Sequence, residues 1–288
     1  MAVELRRWAV ASVLSVLPGL LTARPAAAVD GVIEINQARA LAGGVTATDA
    51  PGFPVTLDSD GSYRLTGNLT VADKNKTVIE VSGTATEVTI DLNGFSLLGP
   101  VLCDPTCSPT GGVGNGITFP GGALHVRDGS IRGMGLDGVH SVGLAFLDRI
   151  AAYWNGRHGL YVASPASISG CVAGANGGNG IQAGTASVIV HNSVLSNNGE
   201  GIFTGANSTV EGNTVTGNLS AGIETSAGSV ILDNAVANNT GFGLFGTGIS
   251  IGYARNVLDN NHGGNANAQV INAIQIGANI CGGDTTCP

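Results

Sequence analysis

Side chains able to shuttle protons or hold charge are crowded into one short stretch of this 288-residue chain. Between residues 125 and 161 lie His125, Arg127, Asp128, Arg132, Asp137, His140, Asp148, Arg149, Tyr153, Trp154, Arg157, His158 and Tyr161, whereas residues 162–254 contain no Lys or Arg. A histidine beside Asp or Tyr can accept and donate protons. An arginine such as Arg157 can offset the carboxylate of a uronic acid. The catalytic candidates are therefore His140 and Tyr161 as acid/base groups, Arg157 as charge neutraliser, and Asp137 and His158 beside them. Spacing ties these residues together: Asp137 precedes His158, and His140 precedes Tyr161, by 21 positions. The same offset relates Asp128 to Arg149 and Arg127 to Asp148. Those two pairs read as surface ion pairs rather than chemistry, worth at most about 1 kcal/mol each when exposed. Asp137 and His158 have no further ligands close in sequence, so no metal is called for, and no cofactor motif is identified.

The offset belongs to the whole chain. Glycine followed by an aliphatic residue recurs at Gly116, Gly138, Gly159, Gly180, Gly201, Gly222 and Gly243, in steps of 22 and then 21. Val126, Leu147, Ile168, Ile189, Val210 and Ile231 keep the same beat, as do Ile131, Ala152, Ala173, Val194, Val215, Val236 and Val257. Asn155, Asn176, Asn197, Asn218, Asn239 and Asn260 form one asparagine column, and Asn192, Asn213 and Asn234 a second, with Asn256 displaced by one. Such periodicity is the signature of a solenoid. Each repeat holds three short Val/Ile-rich stretches separated by Gly, Asn and Ser, so the repeats are coils of strand rather than helix. We expect an all-β, right-handed parallel β-helix of about eight coils of 21–22 residues, with equivalent residues stacked about 4.8 Å apart.

Stacking gives each column a role. The aliphatic columns face inward. Asparagine marks turns, tolerating left-handed backbone and bonding its neighbours up the stack. Strand neighbours alternate faces, so the column just after the inward aliphatic points out. It runs His140, Tyr161, Gln182, Phe203, Glu224, Phe245, and its last four members are the candidate ligand-binding residues. Cys171 falls in the 192/213/234 column and is expected to be a small buried hydrophobe rather than a reactive thiol.

Composition agrees and excludes alternatives. Gly numbers 46 and charged residues only 11 %, which rules out a coiled coil or helix bundle, while 43 % hydrophobic residues argue against disorder. Arg6 and Arg7 precede an apolar run from Trp8 to Leu21, and Ala26 and Ala28 form an A-x-A-like site, so residues 1–28 read as a secretory signal peptide. The run is too short for a transmembrane segment. Net charge is −8, which disfavours nucleic acid as a partner. Export, to periplasm or medium, suits two local disulfides, Cys103 with Cys107 and Cys281 with Cys287. Residues 29–76, with a short helix in 33–44, are expected to form an N-terminal cap, 77–263 the β-helix and 264–288 a C-terminal cap, since solenoid ends need cover.

The repeats, above all NGIQAGTASVIVHNSVLSNNGEGIFTGANSTVEGNTVTGNLSAGIE, resemble the secreted bacterial right-handed parallel β-helix repeat proteins of the pectin-lyase-like superfamily. The resemblance implies the fold of pectate lyases, polygalacturonases and alginate epimerases. The chain lacks the DPHD motif of alginate epimerases, the paired Asp of polygalacturonases and the Asp and Arg patterns of pectate lyases. Three functions remain open. The first is polysaccharide binding along the exposed strand face, the second a uronic-acid polysaccharide lyase or epimerase, and the third a structural or adhesive solenoid.

Overall fold

Parallel pairing between residues one repeat apart organises the whole structure. The computed structural model describes residues 31–102, 111–163, 165–282 and 287. The Cys103–Cys107 pairing and the leader expected over residues 1–28 lie outside them. One sheet has ten short strands: Val55–Leu57, Ile79–Val81, Ile117–Phe119, Val139–Ser141, Leu160–Val162, Ile181–Ala183, Ile202–Thr204, Ile223–Thr225, Leu244–Gly246 and Val270–Ile271. We number the turns of the solenoid one to ten by these strands. The other strands join a 19-stranded sheet that wraps the remaining sides. The helix Gln37–Ala42, capped by the Asn36 side chain accepting from Arg39 N–H, is the only one among the described residues. No helix among them is long and apolar enough to cross a membrane.

The solenoid therefore has about ten turns rather than the eight expected. Parallel pairing already joins Val32–Ile35 to Gly61–Leu65, inside the segment expected to cap the N-terminus. At the other end Val270–Ile271 pairs in parallel with Leu244 and Phe245, inside the expected C-terminal cap. Cys281 and Cys287 are joined there by a disulfide.

Three residues per strand suffice because the stack, not strand length, supplies the pairing. Val139, Leu160, Ile181, Ile202, Ile223 and Leu244 are completely buried, one per turn, and Ile168, Ile189, Val210 and Ile231 face them from the larger sheet. Between strands the chain turns through left-handed residues, among them Asp128, Arg149, Gly170, His191, Gly212, Asp233 and Arg255. The glycine before each inward aliphatic residue is required by crowding. A Cβ on Gly201 would sit 2.4 Å from Val215 Cγ1 and 2.7 Å from both Asn218 Nδ2 and the Gly222 carbonyl oxygen.

The asparagine columns are hydrogen-bonded ladders. Asn197 Oδ1 accepts from the backbone N–H (3.1 Å) and side-chain amide (2.9 Å) of Asn176. Its own amide donates to the Ala173 carbonyl (3.1 Å) and to Asn218 Oδ1 (2.9 Å). Every donor and acceptor of a fully buried amide is thus used, as burial demands. The last members differ from expectation. Asn239 is followed by Asn261, not Asn260, and Val236 pairs with Leu258, not Val257. The cause is one inserted residue between Phe245, in register with Glu224 at 21 positions, and Gly252, in register with Val230 at 22. Gln269 and Asn279 then close the two ladders.

Candidate functional site

The ten-stranded sheet presents one outward side chain per turn. Thr118, His140, Tyr161, Gln182, Phe203, Glu224 and Phe245 pair centre to centre in strands of turns three to nine. All are half-buried, flanked on both sides by buried residues. The strands that hold them are too short to bend away, so the column forms an unbroken ribbon along the stack. The imidazole of His140 lies flat on the Tyr161 ring, centroids 4.7 Å apart and planes 11° from parallel. Farther along, Phe242 stacks beside Phe245 at 6.0 Å.

A second column buttresses the first from three residues upstream. Asn115 donates to Thr118 (3.0 Å), Asp137 Oδ2 meets His140 Nδ1 (2.8 Å), and the Asn179 amide donates to Gln182 (3.2 Å). These upstream residues also form a ladder. The backbone N–H of Asp137, His158, Asn179 and Glu200 each donates, at 3.0 Å, to the side chain one turn earlier. In the asparagine columns the direction is opposite, each side chain accepting from the backbone of the turn before.

Asp137 is the hub. Its side chain is wholly buried, and it accepts from Arg157 Nε (2.8 Å), Arg157 Nη2, His140 Nδ1 and the His158 backbone. Burial alone pushes its carboxyl up; the hydrogen bonds from Arg157, His140 and His158 outweigh that and hold it below the ordinary carboxylate value. Asp137 cannot touch a ligand, so it is a positioning group. Against a carboxylate, His140 Nδ1 is the donor, which leaves the basic lone pair on Nε2. His158 Nδ1 accepts from Asn179 N–H and so carries no proton there; burial, the largest influence, lowers its pKa. Arg157 lies over the Tyr161 ring at 5.4 Å, and two of its nitrogens are already committed to Asp137. Its charge is largely offset inside the protein.

The structure thus brings together all five residues expected to do chemistry. Gln182, Phe203, Glu224 and Phe245 continue the same ribbon away from them. Glu224 sits between Phe203 and Phe245, and burial, aided by the Glu200 charge, raises its pKa. Periodicity alone hid this carboxylate pair, because Glu200 and Glu224 are 24 residues apart and lie in different columns. Of the expected ion pairs, Arg149 with Asp128 forms (2.7 Å). Arg127 does not pair with Asp148. It reaches Asp91 (3.0 Å), a nearly buried carboxylate on the other neighbouring turn, while Asp148 turns to Arg149 and Ser169. Cys171 is buried and unpaired to sulfur, its thiol pushed up to about 12 by burial. No metal-binding cluster exists among the described residues.

Comparison with solved structures returns the same architecture. A variant of the periplasmic alginate epimerase AlgG aligns with a TM-score of 0.52 at 12 % identity, over 78 % of this chain and 65 % of that one, just under two thirds of its length. The A-module of the Azotobacter vinelandii mannuronan C-5 epimerase AlgE4 aligns with a TM-score of 0.47 at 15 % identity, over 78 % and 80 % of the two chains. The Dettilon tailspike protein aligns with a TM-score of 0.42 at 15 % identity, over 77 % and 59 %. At these identities the likeness is one of fold. No curated protein matches in sequence. The family model for a right-handed beta helix region matches residues 133–280, more than half the chain, and the turns carrying the His140–Phe245 ribbon fall inside it; the chain belongs to that right-handed β-helix family.

Proposed function

We propose that this protein is exported and binds a polysaccharide laid along the axis of the solenoid, on the outward ribbon from His140 to Phe245. The carrying observation is the continuity of that ribbon. Rings at His140 and Tyr161 occupy adjacent turns, and from Tyr161 onward Phe203 and Phe245 alternate with the hydrogen-bonding groups of Gln182 and Glu224. The ring edges offer apolar C–H surface to the sugars, and the polar members can meet hydroxyls. One fold neighbour is named as a periplasmic alginate epimerase, which supports a carbohydrate ligand. The Cys281–Cys287 disulfide supports an oxidising compartment. The test is calorimetry of the protein against a panel of acidic and neutral polysaccharides. Binding that Tyr161→Ala and Phe203→Ala each weaken supports the reading. Absence of binding to every glycan overturns it in favour of a structural or adhesive solenoid.

One observation favours a second reading, a uronate lyase or epimerase. The Asp137–His140 hydrogen bond leaves Nε2 as the ring's acceptor and holds the imidazole flat on the Tyr161 ring. In that reading His140 Nε2 removes the proton from the sugar carbon next to the carboxylate. Tyr161 then gives a proton to the leaving glycosidic oxygen. Incubating alginate and pectate and following unsaturated ends by absorbance and inverted sugars by NMR tests it. Product formation that survives both His140→Ala and Tyr161→Phe removes these residues from the chemistry.

A further inference from the structure

A second aromatic site stands on a different face, where the strands Ala123–Arg132 and Leu144–Tyr153 of the larger sheet end. The corner that follows these strands is left-handed in successive turns: Gly133, Trp154, Ala175, Ser196, Gly217, Asn238 and Asn260 all have φ between 51° and 70°. Gly, Asn and small residues suit that conformation, and a tryptophan does not. Trp154 is nevertheless placed there at φ 59°, with 38 % of its surface exposed. Its ring meets Tyr153 edge-on at 5.0 Å, and Tyr153 carries the Arg132 guanidinium over its face at 5.9 Å. Arg64, Arg127, Arg149, Arg157 and Arg255 each pair with an Asp, but Arg132 has no carboxylate partner among the described residues. Arg132 and Trp154 border a cleft of about 340 Å³ that Leu98, Val101 and Leu102 also line. That volume lies in the range of small-ligand sites.

We propose that this cleft is a second, independent carbohydrate site that takes one acidic sugar residue, stacking its ring on Trp154 and pairing its carboxylate with Arg132. In a chain of net charge −8, an arginine without a carboxylate partner among the described residues, beside an exposed indole, selects an anion with an apolar face. Strain kept at a corner that the other six turns fill with smaller side chains fits a ligand-facing role. The site shares no residue with the His140–Phe245 ribbon, so either can fail alone.

The chain has two tryptophans, Trp8 and Trp154. In the full-length Trp8→Phe protein, emission therefore reports on the cleft. Titration with short oligouronates is expected to change that emission saturably. Arg132→Gln weakens the titration by roughly tenfold, the loss of one charge-assisted hydrogen bond. Neutral oligosaccharides of equal length bind far more weakly, and Phe203→Ala leaves the signal as it was. No saturable change with any oligouronate overturns the proposal. So does a change that Arg132→Gln leaves intact or that neutral sugars reproduce.

Discussion

Replacing Asp137 by Asn keeps the shape of the hub and removes its charge. If the amide oxygen takes the place of Oδ1, it still accepts from Arg157 Nε and the His158 backbone N–H. The amide nitrogen, standing where Oδ2 was, can accept from neither Arg157 Nη2 nor His140 Nδ1. One charge-assisted bond to Arg157 is lost outright, worth about 1.5–3 kcal/mol in a dry site. With Arg157 still 39 % exposed, solvent screening brings this to roughly 1–2 kcal/mol. The His140 contact survives only if the ring changes tautomer, accepting at Nδ1 and moving its proton to Nε2, which removes the base. Urea unfolding at pH 7 should show the deficit. Because the native carboxyl titrates below its ordinary 3.8, its contribution is present above that value and fades as pH falls through the lower folded pKa. The variant and parent should therefore converge in strong acid. Nitrogen-15 NMR of the imidazoles should show His140 protonated on Nδ1 in the parent and on Nε2 in the variant. Equal stability at neutral pH, or an unchanged His140 tautomer, would refute the assignment of Asp137 as the group that positions the ring.

Asn197→Ala leaves the buried N–H of Asn176 and the Asn218 amide oxygen short of partners and opens a small void, so a loss of about 3–5 kcal/mol is expected in urea unfolding. Glu224→Gln should stabilise the protein at pH 7. A carboxyl whose folded pKa is raised loses stability as pH rises from 4.5 through that folded value, so the gain should vanish when unfolding is repeated below pH 4.5. Cys171, with its thiol pushed up to about 12, should resist iodoacetamide at pH 8 in the folded protein and react once urea unfolds it, as mass spectrometry can follow.

The columns were legible because stacking turns an offset of 21 into contact: His140 over Tyr161, Asp128 over Arg149 and the asparagine ladders all obey it. Where the repeat length changes, the offset misleads. A single inserted residue before Gly252 moved the ladder from Asn260 to Asn261. The first turn, whose strand begins at Val55, reads in sequence as part of a cap because the strands after it begin at Ile79 and Ile117, at spacings no simple period joins. Contacts at other offsets were equally hidden. Asp137 bonds His140 three positions away, and Glu200 influences Glu224 from 24 away. Burial decided the rest. Arg127 faces Asp148 on one turn and Asp91 on the other, and only the three-dimensional packing shows that Asp91 is the better-shielded partner.

The one-directional ladders carry an evolutionary consequence. Since each Asn takes bonds from the rung below and offers the same set to the rung above, any internal rung is interchangeable with its neighbours. Duplicating or deleting an in-frame 21-residue unit rewrites no junction. Such a gene can lengthen its product one step at a time, and every step adds a fresh solvent-facing position that is free to vary.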